Sequence, residues 1–301
     1  MSDNTGADGA AAMDRLLVPL DRSAEARAAL PYAMALATAG TEIRLLTVVA
    51  AEDEVEAARA ALEATAQPLR GAGHTIQTEV VVGDPAEGIL AAAGRAGAGV
   101  IVMASRGRGA VGRLIYGSVA DRVAREATLP TMVVRSGEVG SGPVAISRLV
   151  APLDGSPLAE ASLPVATAIA KRLGAPLALV RAVNPIALLP PAIGLGESIP
   201  PEIYEETEVQ IEQEAREYLE GIASSFRDQG LALSTEVLMG APATAIGEAT
   251  QPGDVIVLTS HERSGVLRWL LGSVAEQLTR EDQSPVILVP AREPEAVAAA
   301  H

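Results

Sequence analysis

The chain has 301 residues, 49% of them hydrophobic, enough for two cores at roughly 100–200 residues per domain. A formal charge of -15, from 38 acids against 23 Lys and Arg, disfavours nucleic acid and anionic membrane surfaces as partners. The absence of Cys excludes disulfides, thiol catalysis and Cys-held metals, and the three His (74, 261 and 301) have no metal-motif spacing.

Residues 1–12 carry no basic residue and no apolar core, so they read as a disordered N-terminus rather than a signal peptide. Leu16–Leu20 is a predicted strand, and Ser23 caps a predicted helix that runs to about Ala39. Ile43–Val49 is a second strand, Glu54–Ala72 a helix and Ile76–Val82 a third strand. Asp84 then caps a helix, with Pro85 at its first position and Glu87 completing a capping box. Val100–Ala104 and Thr131–Val134 are the fourth and fifth strands, with a helix from Ser118 to Ala127 between them. Short apolar strands alternating with Ala-rich helices predict a parallel sheet covered on both faces. No apolar run reaches 18 residues, so no membrane span is expected and the reading is a cytoplasmic protein.

The pattern then repeats. Arg15-Leu16-Leu17-Val18-Pro19-Leu20-Asp21-Arg22-Ser23 returns 133 residues later as Arg148-Leu149-Val150-Ala151-Pro152-Leu153-Asp154-Gly155-Ser156. Gly83-Asp84-Pro85 returns as Gly240-Ala241-Pro242, and Gly117-Ser118-Val119-Ala120 as Gly272-Ser273-Val274-Ala275. The order is kept while the offset jumps once, which predicts two copies of one domain, the second with an insertion. The expected boundaries are 13–140 and 146–290, with a Pro-rich insertion at about 184–207 and a flexible tail at 291–301. An amphipathic helix is expected from Glu205 to Glu220.

In doubly wound sheets, ligands bind at the carboxyl ends of the strands. There the first copy has Asp21 after strand one, and Ala104-Ser105-Arg106-Gly107 after strand four. Nine residues later Gly117-Ser118 opens a helix. Helix-opening amides beside a glycine and a hydroxyl make an anion site, with Arg108 as counter-charge. Asp21 beside it suits a ribose hydroxyl or a bound Mg2+. The stretch Gly107 to Gly112 also reads GxGxxG, but it follows strand four and has no equivalent in the second copy. No Walker lysine, GxSxG elbow or placed acid-base pair accompanies it, so no catalytic residue is assigned.

These features resemble the universal stress protein family, as a tandem two-domain member. They are the Val-Pro-Leu-Asp-x-Ser start, the Gly-x-Pro after strand three, the small-residue loop to Gly-Ser and the final Pro-x-x-Val-Val. The resemblance implies two similar doubly wound, five-stranded, Rossmann-like α/β domains of parallel strands, packed as a pseudo-dimer through their last strands, Thr131–Val134 and Val286–Val289. It also implies ATP binding with little or no catalysis and a role in stress or dormancy regulation; a Mg2+ accompanying the ATP is one of the two groups that suit Asp21. An unidentified regulatory protein and a second copy of the chain are its expected partners. Carried over residue by residue, the adenosine end falls on Pro19, Leu20, Asp21 and Val48, and the phosphate end on Ala104, Gly107, Arg108, Gly117, Ser118 and Val119. Gly83 and Met103 complete the cofactor-binding set. The family's nucleotide-binding branch has Gly-x-x-Gly before the nine-residue gap, and Ala104 replaces the first of these glycines. The second copy keeps Asp154, Gly272 and Ser273 but reads Thr259-x-x-Glu262. A carboxylate at Glu262, 4–5 Å from a phosphate, costs about 3–4 kcal/mol at an effective dielectric near 20. The asymmetry predicts ATP mainly in the first domain.

Overall fold

The computed structural model describes residues 13–71, 73–105, 117–135, 142–185, 201–262, 269–270, 272–281 and 284–292. The N-terminal segment 1–12, Gly107, Arg108, most of the interdomain linker and the core of the Pro-rich insertion lie outside them.

The first half runs β1 (Arg15–Pro19), α1 (Ala29–Leu36), β2 (Glu42–Val49), α2 (Val55–Ala66) and β3 (Thr75–Val82). It continues with α3 (Pro85–Ala96), β4 (Val100–Ala104), α4 (Ser118–Glu126) and β5 (Thr131–Val134). The second half repeats this as β6 (Arg148–Pro152), the short α5 (Pro157–Glu160), α6 (Leu163–Leu173), β7 (Leu177–Val183), α7 (Pro201–Ser224) and β8 (Leu233–Met239). It closes with α8 (Pro242–Ala249), β9 (Asp254–Glu262), β10 (Trp269–Leu270), α9 (Ser273–Glu281) and β11 (Val286–Arg292).

Several elements depart from the sequence expectation, each for a local reason. Ser23 does not open a long helix: its Oγ accepts the Ala26 amide at 3.0 Å, capping a single 3-10 turn before α1. Pro31 lacks an amide and its ring crowds the carbonyl four residues back, so an α-helix can start only where Pro31 falls in the first turn. The helix expected at 54–72 is α-helical only from Val55 to Ala66 and ends in a 3-10 turn at Gln67–Leu69 that contains Pro68. The amphipathic helix of the second half is longer than expected, starting at Pro201 and running to Ser224. The last strand reaches Arg292, into the segment read as tail.

Among the described residues all strands join one sheet, in the order β3-β2-β1-β4-β5-β11-β9-β6-β7-β8, with β10 added to β9. Within each half the main strands are parallel. The halves meet where β5 and β11 pair antiparallel, Val133 opposite Val286, Met132 opposite Ile287 and Thr131 opposite Leu288. This is the pseudo-dimer expected from the two terminal strands. The outer edges are β3 and β8, which carry Glu79 and Glu236 at equivalent places.

Helices cover both faces. Ala29, Ala33 and Leu36 of α1, Ala166, Ile169 and Ala170 of α6, and Leu219 of α7 bury against one face together with Val18, Met132 and Ile287. On the other face, Ala92 and Ala93 of α3, Val123 of α4, Ile246 of α8 and Leu278 of α9 bury with Leu17, Val133 and Ile256. Both apolar layers contain residues of both halves. Alanines on the buried helix faces let the backbones lie close to the sheet, which suits a chain with so few aromatics. Arg172 of α6 adds a polar bond between halves, donating to Asp14 Oδ1 and to Thr41 Oγ1, each at 2.6 Å.

Because Ile287 is fully buried at the junction, Ile287→Ala is expected to lower stability by about 2–5 kcal/mol. Denaturant unfolding would read this, and an unshifted midpoint would mean that the junction is not part of the core. Cleavage of the linker between β5 and β6 is expected to leave the halves co-eluting on size exclusion.

Candidate functional site

A cleft of about 360 Å³ opens at the carboxyl ends of β1, β2 and β4 in the first half. Its walls include Pro19, Leu20, Asp21, Val48, Met103, Ala104, Gly117, Ser118 and Val119, so nine of the twelve first-domain site residues read from the sequence come together here. Gly83 does not line it. Gly83 ends β3 at φ 145°, its amide bonded to Val49 O at 2.9 Å, and turns the chain into α3. Gly107 and Arg108 lie outside the described residues.

The floor is fixed by strand bonds. Leu20 N donates to Leu46 O at 2.7 Å, and the buried Thr47 hydroxyl donates to Leu20 O at 2.9 Å. Asp21 follows at once. Its Oδ1 accepts the Ser23 amide at 3.0 Å and the Ser23 hydroxyl at 2.5 Å, an Asx turn that holds the carboxylate at the lip. Arg22 takes a left-handed φ of 70° and donates to Glu54 Oε2 at 3.0 Å, so its side chain leans towards the start of α2.

One wall is α3, whose Pro85 and Ile89 face the cleft. Gly88 lets this helix approach: a Cβ there would stand 3.0 Å from Val48 Cγ2. Asp84 Oδ1 caps α3 by accepting the Glu87 amide at 3.0 Å, as expected. The Glu87 carboxylate instead takes Arg122 of α4 at 3.0 Å, and the same guanidinium reaches Asp84 at 2.9 Å and Glu126 at 3.1 Å. Their side-chain bonds, that to Glu87 first, raise the Arg122 pKa further. Arg122 thereby ties α4 to the cleft-lining start of α3.

The far end is the start of α4. Gly117 N donates to Ser105 O at 2.8 Å, Gly117 O accepts the Asp121 amide at 2.9 Å, and Gly117 offers no side-chain cap. The first amides of α4, at Ser118, Val119 and Ala120, have no carbonyl one turn back and lie in the cleft wall. With the positive end of the helix dipole behind them, they form an anion-binding end. The cleft thus offers an apolar slot at Val48 and Met103, a carboxylate at Asp21 and an anion-binding end at α4. Among the described residues no cluster of three or more His, Asp or Glu could hold a metal.

The second half repeats the frame. Asp154 Oδ1 accepts Ser156 N at 2.9 Å, Ser156 Oγ accepts Ala159 N at 3.1 Å, and Gly272 O accepts Glu276 N at 2.8 Å at the start of α9. The loop differs. In the second half β9 continues to Glu262, which stands opposite Arg292 of β11 in the sheet register, and β10 folds back on it. Glu262 is therefore in a hairpin rather than in a phosphate loop. The corresponding β4 ends at Ala104.

Thr47, Arg22, Pro85, Ile89 and Ser105 of the cleft were not assigned to the site from sequence. A lone Thr in the apolar run Leu45–Val49 was the one available signal, a hydroxyl that needs a partner when buried.

A sequence model of the universal stress protein family matches residues 13–135 and 145–290. A universal stress protein of Mycolicibacterium smegmatis is 27% identical over 295 residues, 91% of this chain and 96% of that protein. Universal stress proteins of Mycobacterium bovis and Mycobacterium tuberculosis are 27% identical over 189 residues, and the match spans 61% of their length. Among solved structures, a universal stress protein from Archaeoglobus fulgidus aligns with a TM-score of 0.65 at 20% identity, covering 92% of this chain and 98% of that one. No helix of the described residues is long and apolar enough to cross a membrane.

Thr47→Val removes the hydroxyl that anchors Leu20 O in the buried floor. It is expected to cost roughly 1–2 kcal/mol, read as a lowered denaturation midpoint. No loss would show that water replaces the bond.

Proposed function

The chain belongs to the universal stress protein family, and from that premise we propose a stress-response regulatory protein that binds ATP in its first half with little or no catalysis. The observation that carries this reading is the single cleft joining an apolar slot, Asp21 and the open amides of α4. Adenine fits between Val48 and Met103, with Leu20 and Pro19 beneath. The ribose hydroxyls meet Asp21, which also suits a Mg2+ carried by the nucleotide. The phosphates meet Gly117, Ser118 and Val119, and the segment holding Gly107 and Arg108 leads from Ala104 to this end. On this reading the site holds its ligand, with little or no catalysis. The reading extends to a cytoplasmic protein that pairs with a second copy and signals its nucleotide state to a regulatory partner.

In the second half, the continuous β9 favours a different use of the same fold, as a scaffold without nucleotide. The net charge agrees in direction, -4 over residues 1–143 against -11 over 144–301.

Protein as purified is expected to release ATP on denaturation, and saturating ATP is expected to stabilise it by about 2.7 kcal/mol at a hundredfold excess over Kd. A nucleotide-free chain with no thermal shift in ATP and Mg2+ would overturn the reading. Gly117 has φ -61°, open to any residue, so Gly117→Val tests space at the phosphates rather than backbone strain. This variant is expected to lose most ATP binding, while Gly272→Val changes little. Equal losses would refute the asymmetry.

A further inference from the structure

Three side chains meet at the nucleoside end of the second half, and none has a like residue in the first. In the sheet register, Pro19 pairs with Leu46 and Pro152 with Val180, so Arg181 stands where the first half has Thr47. The buried pair Ala58 and Leu62 of α2 matches Ala215 and Leu219 of α7, which puts Tyr218 at the place of Ala61. Glu160, four residues past Ser156, replaces Arg27, four past Ser23.

The three form one stack. The Arg181 guanidinium carbon lies 4.9 Å from the centre of the Tyr218 ring, and the Tyr218 hydroxyl donates to Glu160 Oε1 at 2.8 Å. Burial first, then this bond, raises the Tyr218 pKa well above the usual phenol range, so the ring stays neutral under the cation. A guanidinium over an aromatic face is held by the ring quadrupole. The same guanidinium lies close to Gly155: a Cβ there would stand 3.3 Å from Nη2 and 3.4 Å from Cζ. Gly155 takes the place of Arg22, both in the left-handed region, at φ 92° and 70°.

Thr47 and Arg22 both line the first cleft. Their counterparts Arg181 and Gly155 mark the same end of the second, and the guanidinium reaches from one to the other. In the first half the small Thr47 turns its hydroxyl to Leu20 O, Arg22 leans to Glu54, and the space between stays open. Glycine at 155 leaves room for a side chain lying flat, and Tyr218 is the shelf that keeps it there.

We propose that Arg181 is an internal plug: clamped between Gly155 and the Tyr218–Glu160 pair, it fills the nucleoside end of the second cleft and confines adenine nucleotide to the first. The proposal rests on the adenine-nucleotide reading of the first cleft, and its test separates the two. Arg181→Thr installs the first half's residue and opens the slot. AMP is the probe, because it needs the nucleoside end and not a full triphosphate loop. Equilibrium dialysis with labelled AMP is expected to rise from about one to about two molecules per chain. Unchanged stoichiometry in a folded Arg181→Thr chain overturns the plug, as does a wild-type chain that already binds two. If wild type binds none and Arg181→Thr binds one, the plug stands and the first-half reading falls. Should Arg181→Thr fail to fold, Tyr218→Ala removes the shelf and is read the same way.

Discussion

Three residue pairs between β5 and β11 decide the form of the whole molecule. Without them each half would end in an exposed, largely apolar edge strand, a template for unwanted pairing. With them, two five-stranded sheets become one, and helices of both halves pack across the seam. The pairing is antiparallel, so the parallel strands of the first half run opposite to those of the second. Their carboxyl ends, and with them the first cleft and its counterpart, face opposite poles of the protein.

The two halves show how one backbone frame carries two different sites. The Asx turns at Asp21 and Asp154 superimpose in their hydrogen bonds, as do the helix starts at Gly117 and Gly272. These bonds are made by the backbone and by short side chains, and they survive changes around them. The differences lie in long side chains and in one strand. Arg122 braces α4 against Asp84 and Glu87 in the first half, whereas the second half has Gln277, Ala241 and Thr244 at those places. Where β4 stops, β9 runs on. Recognition of the frame therefore says little about what each half holds.

The sequence was legible wherever one short stretch decides its own structure. The strand cores, the Asp84 cap with Pro85 behind it, and the Gly-Ser helix starts are local, and they lie close to where periodicity and capping put them. Repeat arithmetic extended this to the architecture, since blocks that recur in the same order made two copies, and copies predict a pseudo-two-fold. The misses are of two kinds. Pro31 sat inside a run read as one helix, although its missing amide already required the α-helix to start just ahead of it. Gly83, the length of β9 and the stack of Arg181 on Tyr218 depend on contacts between segments far apart in sequence, and spacing alone carries no trace of them. Val48 was found, but Gly88, which lets α3 reach it, was not, because a glycine inside a helix advertises nothing about its neighbour across the gap.

The outer strands bear on growth of the sheet. A fold that fuses two sheets edge to edge has shown that its edges will accept a neighbour, and repetition of that step at β3 and β8 would build an open ribbon of chains. Glu79 and Glu236 stand in the middle of those two strands, at matching places, and a further antiparallel copy would bring like charges together along the new ladder. Glu79 is partly neutralised by Arg44 and Arg95, while Glu236 is exposed. The β8 edge is thus the better guarded of the two, and the width of the sheet is a quantity the protein limits with charge.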